Sequence, residues 1–580
     1  GLGDVYKRQA KALQDLIRRG PRLHPGGLRA RYSIPYAAYI FAFGVTPFIA
    51  TFVYMGLGFR DALLLMKVVP MRLILYNTFV LALGTAVGAT VLGLIEAVIA
   101  DSIVSRFRTP LSLLFMVPYT VPFTSAALMW VISVYGEGYG WFTYFLRLRY
   151  DPLLMPSTAI WTIVMVSVWA STPFSFLMIF SALRSIPPEV RENAVMDGLP
   201  LSRYYSEIAI PMASKAILIS FILQFALGLG NFDIPYVMTQ GGPGFQTTNL
   251  AILVYNAIFE MGSFAAGALI AAMLSAIAVV PAVLLVLIMR AQRPLLPPVR
   301  VKVPDPVFKA VAGVLGAILL FANLMPVYWM FLVAFRPDTL DFKSPPILLP
   351  VAFTAKYFDE AIRGSVPYMI SSVVVSVGVG LITVFLSGPA AYEVARGRMG
   401  RWLLTLSIFL YTLPSMSYIV PLYLWFGKVG LLNTWWALMI ASPIFTATYA
   451  VWAMEGFYID LPKAYEEVAD LFNIRGKMTR IILPLSRPVL LSVFLISLIF
   501  AWHLLVYPLI LSSTPYNFSF PPVGAQTVTI YALTAIQQSI IRWGLLAAMA
   551  LVAALPVMVI ALAFLYMVSK GGYSLGLKFL

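Results

Sequence analysis

Two polar stretches interrupt an otherwise apolar chain of 580 residues, and they hold the side chains best placed to act. The first is Ile186 to Pro211, IPPEVRENAVMDGLPLSRYYSEIAIP. Ser185 can cap a helix there, Pro187 and Pro188 suit its first turn, and Glu189 and Glu192 sit where the helix dipole favours negative charge. Gly198 and Pro200 stop that helix, and a second short helix runs from Leu201 to Pro211. The second stretch runs from Asp460, a good N-cap with Pro462 in the first turn, to Pro484. Glu467 stands 275 residues after Glu192, but Phe472-Asn473 replaces Asp197-Gly198. The distance from Glu467 to Pro484 is two residues shorter than from Glu192 to Pro211. A hinge there falls at Asn473, which tolerates the left-handed conformation, or at Gly476. The chemistry open to such elements is not covalent. Glu192 and Glu467 can pair with basic groups or cap their own helices.

A second constellation lies where the fifth apolar segment breaks up as Gly228-Leu-Gly-Asn231-Phe232-Asp233-Ile-Pro-Tyr236. Aromatic faces beside Asn and Asp acceptors suit a sugar, whose ring faces stack while its hydroxyls hydrogen-bond. The alternative puts Asp233 at the outer water interface and leaves Phe232 and Tyr236 merely packed. Trp502-His503 falls at the equivalent depth later in the chain, where a lone His is expected to be hydrogen-bonded inside a helix bundle. Glu96 and Glu393 lie near the inner ends of apolar segments. Arg396 follows Glu393 by one turn, so an ion pair between them is expected, with a proton relay as the sharper alternative. Cysteine is absent and only His24 and His503 occur, which excludes disulfides, thiolate metal sites and a His-based metal centre. No G-x-x-x-x-G-K-[ST] phosphate loop occurs, since Gly427-Lys428 and Gly476-Lys477 lack its other residues. The chain is therefore not expected to be an enzyme or to hydrolyse ATP itself.

The elements that must position these residues are membrane spans. The chain is 61% hydrophobic and 11% charged, with mean hydropathy +0.88, against about 25% charged in soluble domains. Spans of about 20 apolar residues fall near 34–55, 75–100, 110–134, 155–182, 215–237 and 264–289, and again near 307–334, 367–392, 402–426, 433–455, 488–511 and 542–568. The third and ninth contain Pro118, Pro122, Pro414 and Pro421, which are tolerated where neighbouring helices satisfy the freed carbonyls. With the N-terminus inside, 29 of the 40 Lys and Arg lie in inner segments, which places both termini in the cytoplasm. The net charge of +16 thus marks inner loops rather than nucleic-acid binding. The first residues, GLGDVYKRQ, lack an initiating Met and read as a non-native scar; no cleavable signal is seen. The expected organisation is a tail over 1–33, a six-span domain over 34–290, a basic Pro-rich cytoplasmic linker over 291–306, and a second six-span domain over 307–580. The fold class is all-α and polytopic, about twelve transmembrane helices in two parallel six-helix repeats.

The pattern Glu192-x-Ala194-x-x-Asp197-Gly198, followed by Ile208-x-Ile210-Pro211, resembles the cytoplasmic EAA loop of ABC-importer permeases. Glu467, Ala469, Asn473, Gly476 and Pro484 occupy the matching places in the second loop. Thr239-Gln-Gly-Gly-Pro243 with Thr248, Leu250, Tyr255, Phe259 and Gly262 looks like the TxGGP segment of carbohydrate-type, maltose-like importer permeases of the first subunit type. The partner subunit type resembles Ala391-Tyr392 with Ala395-Arg396, Gly430-Leu-Leu-Asn-Thr434, Trp502 with Tyr507-Pro508-Leu509, and Gly576-Leu-Lys578. The family normally supplies these halves as two proteins, whereas here they look fused. Related permeases have Trp-Asn and then an acidic residue where this chain has Trp502-His503-Leu504, which weakens a carried-over polar role there.

The resemblance implies a type I ABC importer permease in the cell (inner) membrane. It takes a sugar or oligosaccharide from an extracytoplasmic solute-binding protein docked on loops such as 239–263 and 335–366. Both loops dock on ABC ATPase subunits, two in all, which carry the ATP and Mg; this chain holds no cofactor of its own and binds no nucleic acid. The competing readings are an ion-coupled secondary transporter of six plus six spans, and an ABC importer of a polyol, a phosphorylated polyol or a peptide. A repeated docking element between the fourth and fifth spans of each half favours the ABC importer.

Overall fold

The computed structural model describes residues 32–103, 105–136, 138–291, 293–397, 401–472, 474–536 and 542–569, and the regular elements among them are helical. The basic tail, Asn473 and the Gly576-Leu-Lys578 motif lie outside the described residues. The first half contains α1 (Ile34–Leu57), α2 (Met71–Ser102), α3 (Ser105–Phe115), α4 (Phe123–Val134), α5 (Ala159–Ser185), α6 (Pro188–Met196), α7 (Leu201–Met212), α8 (Ser214–Leu229) and α9 (Phe264–Arg290). The same order returns as α10 (Asp305–Ala334), α11 (Lys356–Ala395), α12 (Arg401–Thr412), α13 (Met416–Lys428), α14 (Trp435–Asp460), α15 (Ala464–Leu471), α16 (Met478–Leu485), α17 (Arg487–His503) and α18 (Trp543–Ser569).

Among the described residues eight helices are long and apolar enough to cross a membrane, and three bent pairs raise this to eleven. The pairs α7–α8, α12–α13 and α16–α17 bend by 66°, 91° and 71°. Pro414 occupies the α12–α13 break, and Pro118 and Pro122 flank the tight turn that separates α3 from α4. Each removes a backbone donor and clashes with the preceding turn, so an apolar run of span length becomes two short helices. Two expected caps are corrected. Ser185 closes α5, its hydroxyl donating to the Ala182 carbonyl at 2.7 Å, and Pro187 stands at the cap of α6. Asp460 is the last residue of α14, and Lys463 precedes α15. In both places the preceding span runs on to the edge of the loop and takes up the residue that could have capped the next helix.

Close packing rests on small residues. Along the α2–α5 contact, a Cβ added at Gly84 would lie 2.8 Å from a Val164 methyl, and one at Gly88 2.5 Å from a Val168 methyl. At Gly93 it would lie 2.6 Å from the Phe176 backbone nitrogen. Small residues let backbones approach where no hydrophobic drive exists between lipid-immersed helices.

The halves interleave. α1 packs on α9 of its own half and on α13 of the other, while α10 packs on α18 and on α4. Polar bonds across the halves come in matching sets. Thr51 on α1 donates to the Ser417 carbonyl on α13 at 2.9 Å, and Trp329 on α10 donates to the Ile132 carbonyl on α4 at 3.1 Å. Tyr39 bonds the Ile440 carbonyl on α14 at 2.7 Å, and Trp169 on α5 bonds the Ala322 carbonyl on α10 at 3.1 Å. Ser275 on α9 bonds Ser417, and Ser125 on α4 bonds the Ala550 carbonyl on α18.

Gly93→Ala should destabilise the α2–α5 contact by about 1–3 kcal/mol, because the new methyl meets backbone. The helical Gly313, with open space around it, should accept Ala with a change within about 0.5 kcal/mol. Thermal unfolding in detergent measures both, and equal midpoints for the two variants would refute this account of the packing.

Candidate functional site

Each half carries a helix, a turn and a second helix between its fourth and fifth segments. In α6 the Pro187 and Pro188 rings fix the entry, and Gly198 at φ +67° ends the helix. The Gly198 N–H donates to the Val195 carbonyl at 3.0 Å, and the Leu199 N–H to the Ala194 carbonyl at 3.0 Å. This is a Schellman turn, which needs a left-handed residue after the cap and so accounts for Gly198. In the second half the Ile474 N–H donates to the Ala469 carbonyl at 2.9 Å, as the Leu199 N–H does to Ala194, and Gly476 at φ +75° leads into α16. Ala194 and Ala469 are the buried residues of α6 and α15, and Glu192, Asp197 and Glu467 are exposed. Apolar side chains stand out beside those carboxylates: Val195 and Met196 are 66% and 82% exposed, Leu471 and Phe472 80% and 71%. Pro211 and Pro484 sit in α7 and α16, ahead of the bends into α8 and α17.

Each element is pinned to the end of the second helix of its half, with opposite charge. At the end of α2 the buried Asp101 accepts the Tyr205 hydroxyl at 2.8 Å. It also faces Arg184 at 3.5 Å and Arg191 at 3.8 Å. In the second half the anchor is Arg396. It pairs with Glu466 of α15 and donates to the Tyr458 and Leu461 carbonyls at 2.7 and 2.9 Å. Arg191 and Glu466 each directly precede the exposed Glu192 and Glu467, so the polarity of the pin is inverted between the halves.

The expected Glu393–Arg396 pair is therefore corrected. Glu393 instead accepts the Ser33 N–H at 2.9 Å and the Tyr32 N–H at 3.2 Å, and also the Ser33 hydroxyl, at the start of α1. Glu96 accepts Asn323 of α10 at 2.9 Å. Both carboxylates tie a second helix to the first helix of the other half.

The linker lies along the first element. Asp305 accepts the Leu201 N–H at 2.8 Å. Ser202 exchanges bonds with both backbone groups of Val303, the Val299 N–H reaches the Ser206 carbonyl, and the Leu295 N–H reaches Ser214. Sequence reasoning missed this strap and the inverted pins; Asp305, an acid at a helix start, was the one visible signal.

The residues expected to meet solute lie at the two fifth-segment breaks. Asn231 donates to Ser167 at 3.1 Å, and its carbonyl accepts Asn249. Phe232 and Tyr236 stack on each other at 4.6 Å, against Tyr255, and Asp233 opens the short helix Asp233–Thr239. Trp502 donates to the Ala553 carbonyl at 3.0 Å. The breaks face the other half, Gly230 meeting Pro414 and the His503 ring lying 6.1 Å from Phe123. A cavity of about 270 Å³ lies between the halves, and none of these six residues lines it.

Within the loops, Thr248 donates to the Gly241 carbonyl and Asn77 to the Phe245 and Thr248 carbonyls, which fixes the Thr239–Pro243 turn. Asn433 holds Ser513 and Thr514. Between α10 and α11, Arg336 grips Asp341 at 2.6 Å, and burial pushes that carboxyl up to about 6 against the pull of the guanidinium.

Residues 89–293 and 383–571 match the family described as the binding-protein-dependent transport system inner membrane component, together well over half of the chain. The chain belongs to this family. It is 32% identical to the trehalose/maltose transport system permease protein MalF of Thermococcus litoralis over 220 residues, 37% of this chain and 72% of that protein. It is 30% identical to MalG of the same organism over 269 residues, 45% of this chain and 94% of that protein. The trehalose transport system permease protein SugB of Mycobacterium tuberculosis is 31% identical over 260 residues, 43% of this chain and 91% of that protein.

Arg396→Ala removes the guanidinium that binds Glu466 and two helix-end carbonyls, and should cost about 3 kcal/mol. The exchange Arg396→Glu with Glu466→Arg should recover part of that in thermal unfolding. No recovery beyond the sum of the single variants would show that the two side chains do not act as a pair.

Proposed function

We propose that this chain carries both permease halves of an ATP-driven sugar importer, residues 34–290 and 307–580 joined by the linker 291–306. Each half forms six spans, α3 with α4 supplying the twelfth, and the halves are related by a pseudo-two-fold axis along the membrane normal. The basic bias of the inner segments sets both termini in the cytoplasm. A binding protein delivers the solute from the far side, docking on the 239–263 and 335–366 loops. The family match occurring twice, and relatives that each align to less than half of the chain, support the fusion. Relatives named for trehalose and maltose support a sugar as solute.

The observation that carries the reading is the pair of helix–turn–helix elements with exposed apolar and acidic faces. Glu192, Ala194, Asp197, Gly198 and Pro211, with Glu467, Ala469, Asn473, Gly476 and Pro484, form two ATPase-coupling levers. Each first helix rests in the groove of an ATPase subunit, and closure of the ATPases on ATP and Mg moves it. The second helix of each lever is bent directly into the fifth span, so the motion reaches the solute path. Asn231, Phe232, Asp233, Tyr236, Trp502 and His503 form the neck of that path at the two fifth-span breaks.

Met196→Glu and Leu471→Glu should each weaken co-purification with the cognate ATPase more than tenfold without moving the unfolding midpoint, since both side chains are exposed. In proteoliposomes holding the whole complex, ATP should drive uptake of labelled maltose or trehalose supplied with the binding protein. Unchanged ATPase binding by both variants, or uptake driven by an ion gradient without ATP, would refute the proposal.

A further inference from the structure

The cavity between the halves is built unequally. Sixteen of the described residues line it, and eleven of them belong to the second half, from α12, α14, α17 and α18. None of the sixteen is Asp, Glu, Lys, Arg or His. The polar atoms are the hydroxyls of Tyr119, Ser181, Tyr411, Thr446, Tyr449 and Ser497, set among Phe174, Phe445, Phe500 and Phe564.

The inequality has a local cause. Counted from Pro211 and Pro484, Gln224 on α8 and Ser497 on α17 occupy the same step. Counted from Glu192 and Glu467, Ser171 and Ser175 on α5 answer to Thr446 and Ala450 on α14. In the first half the Gln224 amide spans the gap, donating to the Ser171 carbonyl at 2.8 Å and to the Ser175 hydroxyl at 3.3 Å, and so closes α8 onto α5. In the second half Ser497 is too short to do this. Thr446 shares its hydroxyl with Thr383 of α11 at 2.6 Å, and the space between α17 and α14 is left as cavity.

Resting on the sugar-importer reading, in which solute passes between the halves, we infer that this cavity takes a small neutral polyhydroxylated molecule and rejects an ionised one, and that the second half sets this specificity. A carboxylate or phosphate carried into this cavity would lose water and find no cation among the described residues of the lining, whereas a neutral sugar exchanges hydroxyl bonds and lays its ring on the aromatic faces. The volume lies near the low end of ligand pockets, roughly 300–1,000 Å³, which suits one or two sugar rings rather than a long chain.

The experiment uses the whole complex in proteoliposomes, with maltose, trehalose and the acidic disaccharide digalacturonate as probes. Uptake of a neutral probe is expected, with at least tenfold less uptake of digalacturonate. Ser497→Gln, which copies the first-half closure, should cut neutral uptake at least tenfold, and Tyr449→Phe several-fold, with assembly and ATP hydrolysis retained. Digalacturonate uptake comparable to the neutral probes, wild-type uptake by Ser497→Gln, or ATP hydrolysis with no uptake of either neutral probe would each overturn this inference and leave the importer reading standing. Failure to bind or activate the ATPase would overturn the importer reading itself.

Discussion

A polar group inside an apolar bundle must find its partner within the protein, and here the partner is repeatedly in the other half. The carboxylates of Glu96 and Glu393 illustrate the constraint. Each sits at 1% exposure on a second helix, where an unpaired charge would be expensive, and each is met by the first helix of the opposite half. With Thr51, Tyr39, Trp169 and Trp329 these bonds make the interleaving specific, because a shift of one turn would strand several buried donors at once. Apolar helices alone slide on one another at little cost in hydrocarbon, so polar pairs and glycine contacts set the register.

On that frame stand the two helix–turn–helix elements, which the proposed coupling makes the movable parts. They are short, share a backbone bond after the first helix and are joined to the fifth segments through a bend rather than a loop. A bend between two rigid helices transmits displacement better than flexible backbone does. The pins at Asp101 and Arg396 connect the same elements to the second helices. The inverted sign means that neither loop can substitute for the other, since Arg191 would face Arg396 and Glu466 would face Asp101.

What could be read from the sequence followed from local pattern. Apolar runs located the helices and Gly198 located the end of the first loop helix, but the third and ninth segments, read as continuous spans that tolerate their prolines, break at Pro118–Pro122 and at Pro414, while Pro421 stays inside α13. Pairing across long sequence distance was not legible. Glu393 and Arg396 stand three residues apart, at a spacing that favours an ion pair on an isolated helix, yet both are drawn to partners on distant segments because those partners are buried with them. The linker read as a plain spacer, since nothing local announces that Val303 will bond Ser202. The cavity was equally hidden: Gln224 and Ser497 differ by one ordinary substitution, and only their placement beside α5 and α14 gives that difference meaning.

The strap over α7 has a consequence for biosynthesis. Residues 295–305 clasp the first element and then pass straight into α10. A ribosome translating this message therefore delivers both bundles in strict one-to-one ratio. The intramolecular tether keeps the two bundles at high effective concentration during insertion, so pairing with the correct mate becomes a local search rather than a diffusional one across the bilayer.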